Sequence, residues 1–400
     1  AVRFPVDKIR TAALKAAVHV CRVRAVFVDF FFVSLKTMSD KERVCGGIAE
    51  RVAAGGRISR DEAETLWNDA PLSLLAELAC GMRHRKSGDV VYYNRNFHIE
   101  PTNICVFNCR FCSYRRGAGE PGAWNHSLAE IEEIVRARRD SGVTEVHIVG
   151  GVHPDHDIRF YAEMIRLVKR IMPQVAVKAF TAIELAYMIE KAGMGYDEGR
   201  RLLQEAGMEA IPGGGAEIFD EELRARVCPE KGSSQVWLSL HRAAHRLGIR
   251  SNATMLYGHV ETVAQRIDHL DRLRTLQDET GGFDAFIPLK FRRAGNRLGE
   301  GLEEVPVTED MRTLAMSRIY LDNFPHIKAY WVMYGKQTAE MALGFGADDM
   351  DGTIDDSTKI YSMAGAEEKP RLTVDDMRAM AASAGLRAVE RDTFYNEIVR

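Results

Sequence analysis

Cys105, Cys109 and Cys112 stand at i, i+4 and i+7 in the stretch Ile99-Glu-Pro-Thr-Asn-Ile-Cys-Val-Phe-Asn-Cys-Arg-Phe-Cys-Ser-Tyr-Arg-Arg. Three thiolates in so short a span call for a metal. A C-x3-C-x2-C loop can hold three corners of an iron-sulfur cubane and leave the fourth iron open, whereas zinc loops offer a C-x2-C pair with a second pair elsewhere. The chain has no second pair. The competing readings are a zinc site completed by a distant histidine, or three unrelated loop cysteines.

The cysteines need a scaffold. Phe97-His98-Ile99-Glu100 has the period of a strand and Pro101 stops it, which puts the thiols on the loop that follows. Beyond them strand-like runs alternate with helical stretches, with strands expected to begin near His98, Thr144, Ala176, Met208, Ser251, Phe283, Ile327 and Gly344. Helices such as Leu128 to Arg139 and Ile158 to Ile171 fall between them. Eight βα units predict an α/β fold, a (β/α)8 TIM-type barrel, with a flat doubly wound sheet as the alternative. Before it, helical spacing over about 40 to 85, with Ser59 and Glu62 as a capping box, predicts an N-terminal helical extension. After it, a helix from Thr373 to about Ala384 is closed by Gly385.

In such a barrel the ends of the strands carry function. Gly150 and Gly151 after strand two allow a close approach to the backbone. Strand three ends in Lys178-Ala-Phe-Thr-Ala-Ile-Glu184. Glu217, beside the triple glycine after strand four, reads either as a hydrogen-bond partner for a ribose or as a carboxylate favouring the dipole of the helix that starts at Asp220. Arg292, after strand six, could fork onto a carboxylate, while Arg293 reads as a solvated arginine. Cys45 and Cys80 read as incidental thiols, Cys228 as no fourth iron ligand because a closed cluster would leave no iron open, and Asp348, Asp349, Asp351, Asp355 and Asp356 as ordinary solvated acids of a loop.

The 400 residues carry a net charge of -3, which gives no positive field for nucleic acid, and no apolar run is long enough to span a membrane. A soluble protein of a reducing, cytoplasmic compartment is expected. Residues 1-37 differ from the rest, with seven Lys or Arg against two Asp, and read as a non-native or disordered extension ahead of a start at Met38, a transit-like peptide being the alternative. The division expected is therefore 1-37, a helical segment over 38-95, and the barrel with its C-terminal helix over 96-400.

The cysteine loop resembles that of the radical SAM enzymes. "HIEPTNICVFNCRFCSYRRG", "HIVGGVHPDHD", "KAFTAIE", "PGGGAEIFDEELRARVCPEK", "SNATMLYGHVET" and "LQDETGGFDAFIPLKFR" are together similar to the aminofutalosine synthases of the futalosine route to menaquinone. The resemblance implies a [4Fe-4S] cluster on Cys105, Cys109 and Cys112 with S-adenosylmethionine (SAM) on the open iron. It implies Gly150 and Gly151 at the methionyl amino group, Phe111 near the adenine, and Thr254 and Gly258 in the segment along the adenine. Met255 replaces the first glycine of that segment's usual pattern. It also implies that a 5′-deoxyadenosyl radical adds to the enol ether of 3-[(1-carboxyvinyl)oxy]benzoate, a dicarboxylate that gives Arg292, Lys178 and His153 a purpose, and that an electron donor such as flavodoxin or ferredoxin is needed. Dehypoxanthine futalosine cyclase and the tyrosine-using deazaflavin-precursor synthase are the neighbouring activities. An iron-sulfur electron carrier and a zinc module are the readings from other classes.

Overall fold

The computed structural model describes residues 39-353, 358-366 and 370-400, so Met38, the segment before it, Asp355 and Asp356 lie outside the described residues. Among the described residues there are ten strands: β1 (Val90–Asn94), β2 (Asn96–Ile99), β3 (Glu145–Ile148), β4 (Ala176–Ala179), β5 (Met208–Ile211), β6 (Arg250–Tyr257), β7 (Phe283–Lys290), β8 (His326–Ile327), β9 (Asp349–Gly352) and β10 (Arg387–Glu390). β2 to β8 form one parallel sheet in chain order. β9 lies against the end of β8 through a parallel bridge between Lys328 and Asp349, and pairs on its other side with β1. β1 runs into β2 through Arg95 alone. One bent strand thus begins and ends the ring: its first half meets β9, its second half meets β3, and eight parallel members curl around one interior. The doubly wound alternative is excluded by β9, which returns to the first strand instead of leaving an open edge.

Helices cover the outside. Ile158–Ile171 and Leu128–Arg138 form where the spacing of apolar residues predicts them, and Ser59 and Thr373 each sit in a capping box. The expected start of the eighth strand at Gly344 is instead a 3-10 turn, Leu343–Phe345, and the strand begins five residues later. The helices Asp40–Ala53, Arg60–Asp69 and Leu72–Ser87 precede the barrel, and backbone carbonyls in and beside the second of them bind its arginines: Arg312 donates to Trp67 O and Ala70 O at 2.9 Å each, and Arg274 donates to Ile58 O at 3.0 Å. Cys80 donates to Gly344 O at 3.1 Å and Cys45 is buried, which suits incidental thiols.

Of the acids read as solvated, Asp348, Asp349 and Asp351 are buried, while Asp355 and Asp356 lie outside the described residues. Asp348 and Asp349 are 0% exposed and Asp351 8%. Asp348 binds Arg318, also fully buried, at 2.5 Å and His326 at 2.9 Å. Asp349 binds Arg391 at 2.7 Å, and Lys328 donates to Asp351 at 2.9 Å. These pairs floor the barrel together with Lys178 and Glu145, 2.7 Å apart, whose carboxylate also accepts from the hydroxyl of Thr393. The correction has a simple cause: buried carboxylates need cations, and here they come from distant parts of the chain, Arg318 on the helix Val307–Tyr320, Lys328 just after β8 and Arg391 just after β10.

Candidate active site

The interior opens into a cavity of about 210 Å³ at the strand ends. Cys105, Cys109 and Cys112 line it, all three as free thiols. Their loop is held by its backbone. Cys105 N donates to Arg116 O at 3.1 Å, Val106 N to Val152 O at 3.0 Å, Arg110 N to Val227 O at 2.8 Å, and Leu298 N to Arg110 O at 2.9 Å. Burial pushes the pKa of Cys105 and Cys109 above the ordinary thiol range. Such thiols gain their charge by ligating a metal rather than by titrating alone.

Gly150 and Gly151 also line the cavity, and the geometry there requires glycine. A Cβ on Gly151 would lie 2.4 Å from the carbonyl oxygen of Ile104, next to the first cysteine, and one on Gly150 would lie 2.8 Å from Thr102 O. Gly151 N donates to Thr102 O at 2.7 Å. The end of β3 is thus pressed flat on the cysteine loop. Gly151→Ala should displace that loop, costing about 1-3 kcal/mol of overpacking. A lower melting temperature together with iron loss would register it, and wild-type iron content would refute it.

Phe111, Lys178 and Thr254 line the same cavity. Lys231 stands 5.3 Å over the Phe111 ring, and Thr254 donates its hydroxyl to Gly213 O at 2.6 Å. Burial lowers the pKa of Lys178 while Glu145 opposes that shift.

Four expected residues lie elsewhere. His153 stacks on His156 with ring centres 4.3 Å apart, accepts from Asp155 N, and does not line the cavity. Glu217 is buried behind the wall, 2.5 Å from Lys231, in a left-handed conformation at φ 50°. It reaches the cavity only through that lysine. Gly258 makes a turn at φ 84° whose N–H donates to Glu261 at 2.5 Å, again off the cavity wall. Arg292 is turned away. Its guanidinium donates to Gly365 O at 2.9 Å and Met333 O at 3.4 Å, with Glu304 3.5 Å from Nε. Arg292→Lys should therefore change the substrate KM by less than about twofold, since Arg292 is not on the cavity wall. A tenfold rise in steady-state KM would restore the substrate role.

Sequence reasoning missed Glu145, Lys328, Asp351 and Glu184, all on the cavity wall. Glu184 is 7% exposed, and burial raises its pKa to about 7. Its Oε2 accepts from Thr181 N at 2.7 Å and its Oε1 from Gly150 N at 3.1 Å. The capping-box spacing from Thr181 to Glu184 was visible in the sequence and explains only the first of these bonds.

A profile of the radical SAM superfamily matches residues 99-273, and one of the CofH/MqnC C-terminal region matches 280-398. The aminodeoxyfutalosine synthase of Thermus thermophilus is 43% identical over 88% of this chain and 95% of its own length. That of Streptomyces coelicolor is 39% identical over 88% and 93%. The chain belongs to the radical SAM superfamily. A 5-amino-6-(D-ribitylamino)uracil–L-tyrosine 4-hydroxyphenyl transferase of Methanoculleus marisnigri, 39% identical over 87% of the chain and 96% of its own, is a relative of different activity. Methylornithine synthase shares the fold, with a TM-score of 0.68 at 18% identity over 85% of this chain and 96% of its own.

This radical SAM enzyme uses a [4Fe-4S] cluster and SAM. Its donor set fits them. Among the described residues three thiols and no fourth cysteine face the cavity, Cys228 being wholly buried outside it. Among the described residues no three His, Cys, Asp or Glu side chains close around a single metal ion. A three-thiol rim suits a cluster with one open iron better than a tetrahedral zinc site.

Proposed function

We propose that this radical SAM enzyme is an aminodeoxyfutalosine synthase acting on 3-[(1-carboxyvinyl)oxy]benzoate. The observation that carries the reading is the 43% identity to a relative of that name, spread over nearly the whole of both chains. The cavity supports it. Ile287, Leu289, Tyr330 and Tyr361 offer an apolar and aromatic wall for a benzoate ring. Lys178 and Lys328 offer ammonium groups for carboxylates. Each ammonium has three N–H donors and gives one to its own carboxylate, so donors remain for a substrate anion.

The cluster and SAM supply a 5′-deoxyadenosyl radical, chemistry that belongs to the cofactors. The protein binds and shields. Cys105, Cys109 and Cys112 would hold the cluster, Gly150 and Gly151 would face the methionyl end, and Phe111 and Thr254 would flank the nucleoside. Lys178 and Lys328 orient the acceptor, and the closed floor keeps water from below. A one-electron donor such as flavodoxin or ferredoxin serves the cluster. Free thiols as ligands suit the reducing cytoplasm, and no helix of the described residues is long and apolar enough to cross a membrane.

Product analysis tests the reading. Reconstituted, reduced enzyme is given the enol-ether benzoate, dehypoxanthine futalosine, or tyrosine with the ribitylaminouracil, in separate reactions. An adenosyl adduct from the benzoate alone is expected. Turnover of either other substrate in its place would reassign the enzyme.

A further inference from the structure

Glu100, the first residue after β2, is 8% exposed and does not line the cavity. Among the described residues no cation pairs with it, unlike Glu145 and Asp351, which each hold a lysine. Its carboxylate instead accepts from one stretch 258 residues further along the chain: from Thr358 Oγ1 at 2.6 Å, Lys359 N at 3.0 Å and Ile360 N at 3.2 Å. A buried carboxylate without a counter-charge costs stability, and here the donors that offset the cost all belong to a single strap.

What the strap carries is part of the cavity. Ile360 and Tyr361 line it, and the Tyr361 ring meets that of Tyr330 edge-on with centres 5.0 Å apart. Among the described residues no other backbone hydrogen bond joins 358-361 to the barrel. The next ones, Met363 N to Lys359 O and Ala364 N to Tyr361 O, both at 3.0 Å, stay within the strap. The Lys359 ammonium lies 5.1 Å from the centre of the Trp124 ring, whose indole N–H donates to the Glu100 carbonyl at 3.3 Å. The hydrogen-bonded hold on the aromatic end of the cavity thus passes through one side chain at the root of the cysteine loop.

We propose that Glu100 is a positioning residue for the radical acceptor: by holding Thr358, Lys359 and Ile360 it sets Ile360 and Tyr361 against the cavity and closes the aromatic wall on the substrate ring. The assignment rests on the proposed function only in needing a substrate with an aromatic ring. The enol-ether benzoate, dehypoxanthine futalosine and tyrosine all carry one, so product analysis can reassign the enzyme while the strap assignment stands or falls separately.

Trypsin cleaves after lysine, so the rate of the cut after Lys359 reports how firmly the strap is held. Reconstituted, unreduced enzyme is digested and that cut followed by mass spectrometry, while steady-state kinetics use the substrate that product analysis selects. Glu100→Gln turns an amide against N–H donors. It should speed the cut by about tenfold or more and raise the substrate KM by about tenfold or more, with kcat and the KM for SAM within about threefold of wild type. A faster cut with an unchanged substrate KM would make Glu100 a structural anchor and overturn the assignment. An unchanged cut would show that it does not hold the strap, and a KM for SAM that rises as much as that of the substrate would place the damage in the cysteine loop; either overturns it too. Should the glutamine variant fail to hold its cluster, Thr358→Val decides: it removes a donor from the strap and leaves Glu100 in place, so the cut should be several-fold faster and the substrate KM several-fold higher, and an unchanged KM rejects the proposal.

Discussion

Alanine at any one of Cys105, Cys109 or Cys112 should yield a folded protein that does not hold a full cluster and does not cleave SAM. The loop is positioned by backbone hydrogen bonds of residues 105, 106 and 110, none of which needs a thiol, so its shape survives the change. What disappears is one of three iron ligands, and two thiolates cannot hold a cubane with one site kept open for the cofactor. Iron analysis after anaerobic reconstitution should fall well below the wild-type value of about four per chain, with no detectable 5′-deoxyadenosine. Alanine at Cys45, Cys80 or Cys228 should leave both near wild type. Cys228 is the informative control, because it is fully buried and close enough to Cys109 for its charge to be felt. A cluster lost with Cys228 alone would make it a ligand and close the iron that SAM needs.

Asp348→Ala should be the most damaging single change to stability. Asp348 and Arg318 are both fully buried, and the same carboxylate accepts from Ile327 N at 2.9 Å, from Ser87 Oγ at 2.5 Å and from His326 Nδ1 at 2.9 Å. Removing it leaves a guanidinium without its counter-charge in the interior, a loss of about 3-5 kcal/mol. A fall of several degrees in the melting temperature at neutral pH is expected, and a shift of under a degree would mean water compensates. The pair also dictates a pH response. Burial alone would raise the Asp348 pKa, but Arg318 and His326 outweigh it and hold it down to about 2. A carboxylate whose folded pKa is depressed stabilises the fold above its unfolded value, near 4, and that contribution is lost as pH falls from there toward 2. Melting temperature should therefore decline more steeply across that window in wild type than in Asp348→Asn.

The ring could be read from the sequence because seven of its members follow one another and each carries its own apolar run. The cysteine loop was legible for the same local reason: a spacing within eight residues needs no tertiary knowledge. The seam was not. Arg95 divides one strand between two sets of partners, so β1 does not show as a barrel member, and β10 is four residues with a charged one at each end. Asp348, Asp349 and Asp351 read as solvated because their cations lie 30, 42 and 23 residues away along the chain. Spacing cannot show that. Arg292 failed for a different reason, since its position after strand six says nothing about which way the side chain turns. Glu184 was hidden because its bond to Gly150 joins residues 34 apart in the chain, which local spacing does not show.

The seam sets an order of events for the growing chain. Strand β1 is made early, yet its two partners, β9 and β10, are among the last segments made, and Thr393 and Arg391 close the floor later still. Until they arrive, Glu145 and Asp349 lack two of their partners, and the bent strand can engage only β3. The cysteine loop and the six strands that follow it, β3 to β8, therefore exist before β9 is made as an open trough rather than a ring. A chain cut short before β9 would not be a smaller version of this enzyme. It would be a gutter with the thiols at one end and water at the other, exposed to oxygen and solvent from the side that the finished protein seals last.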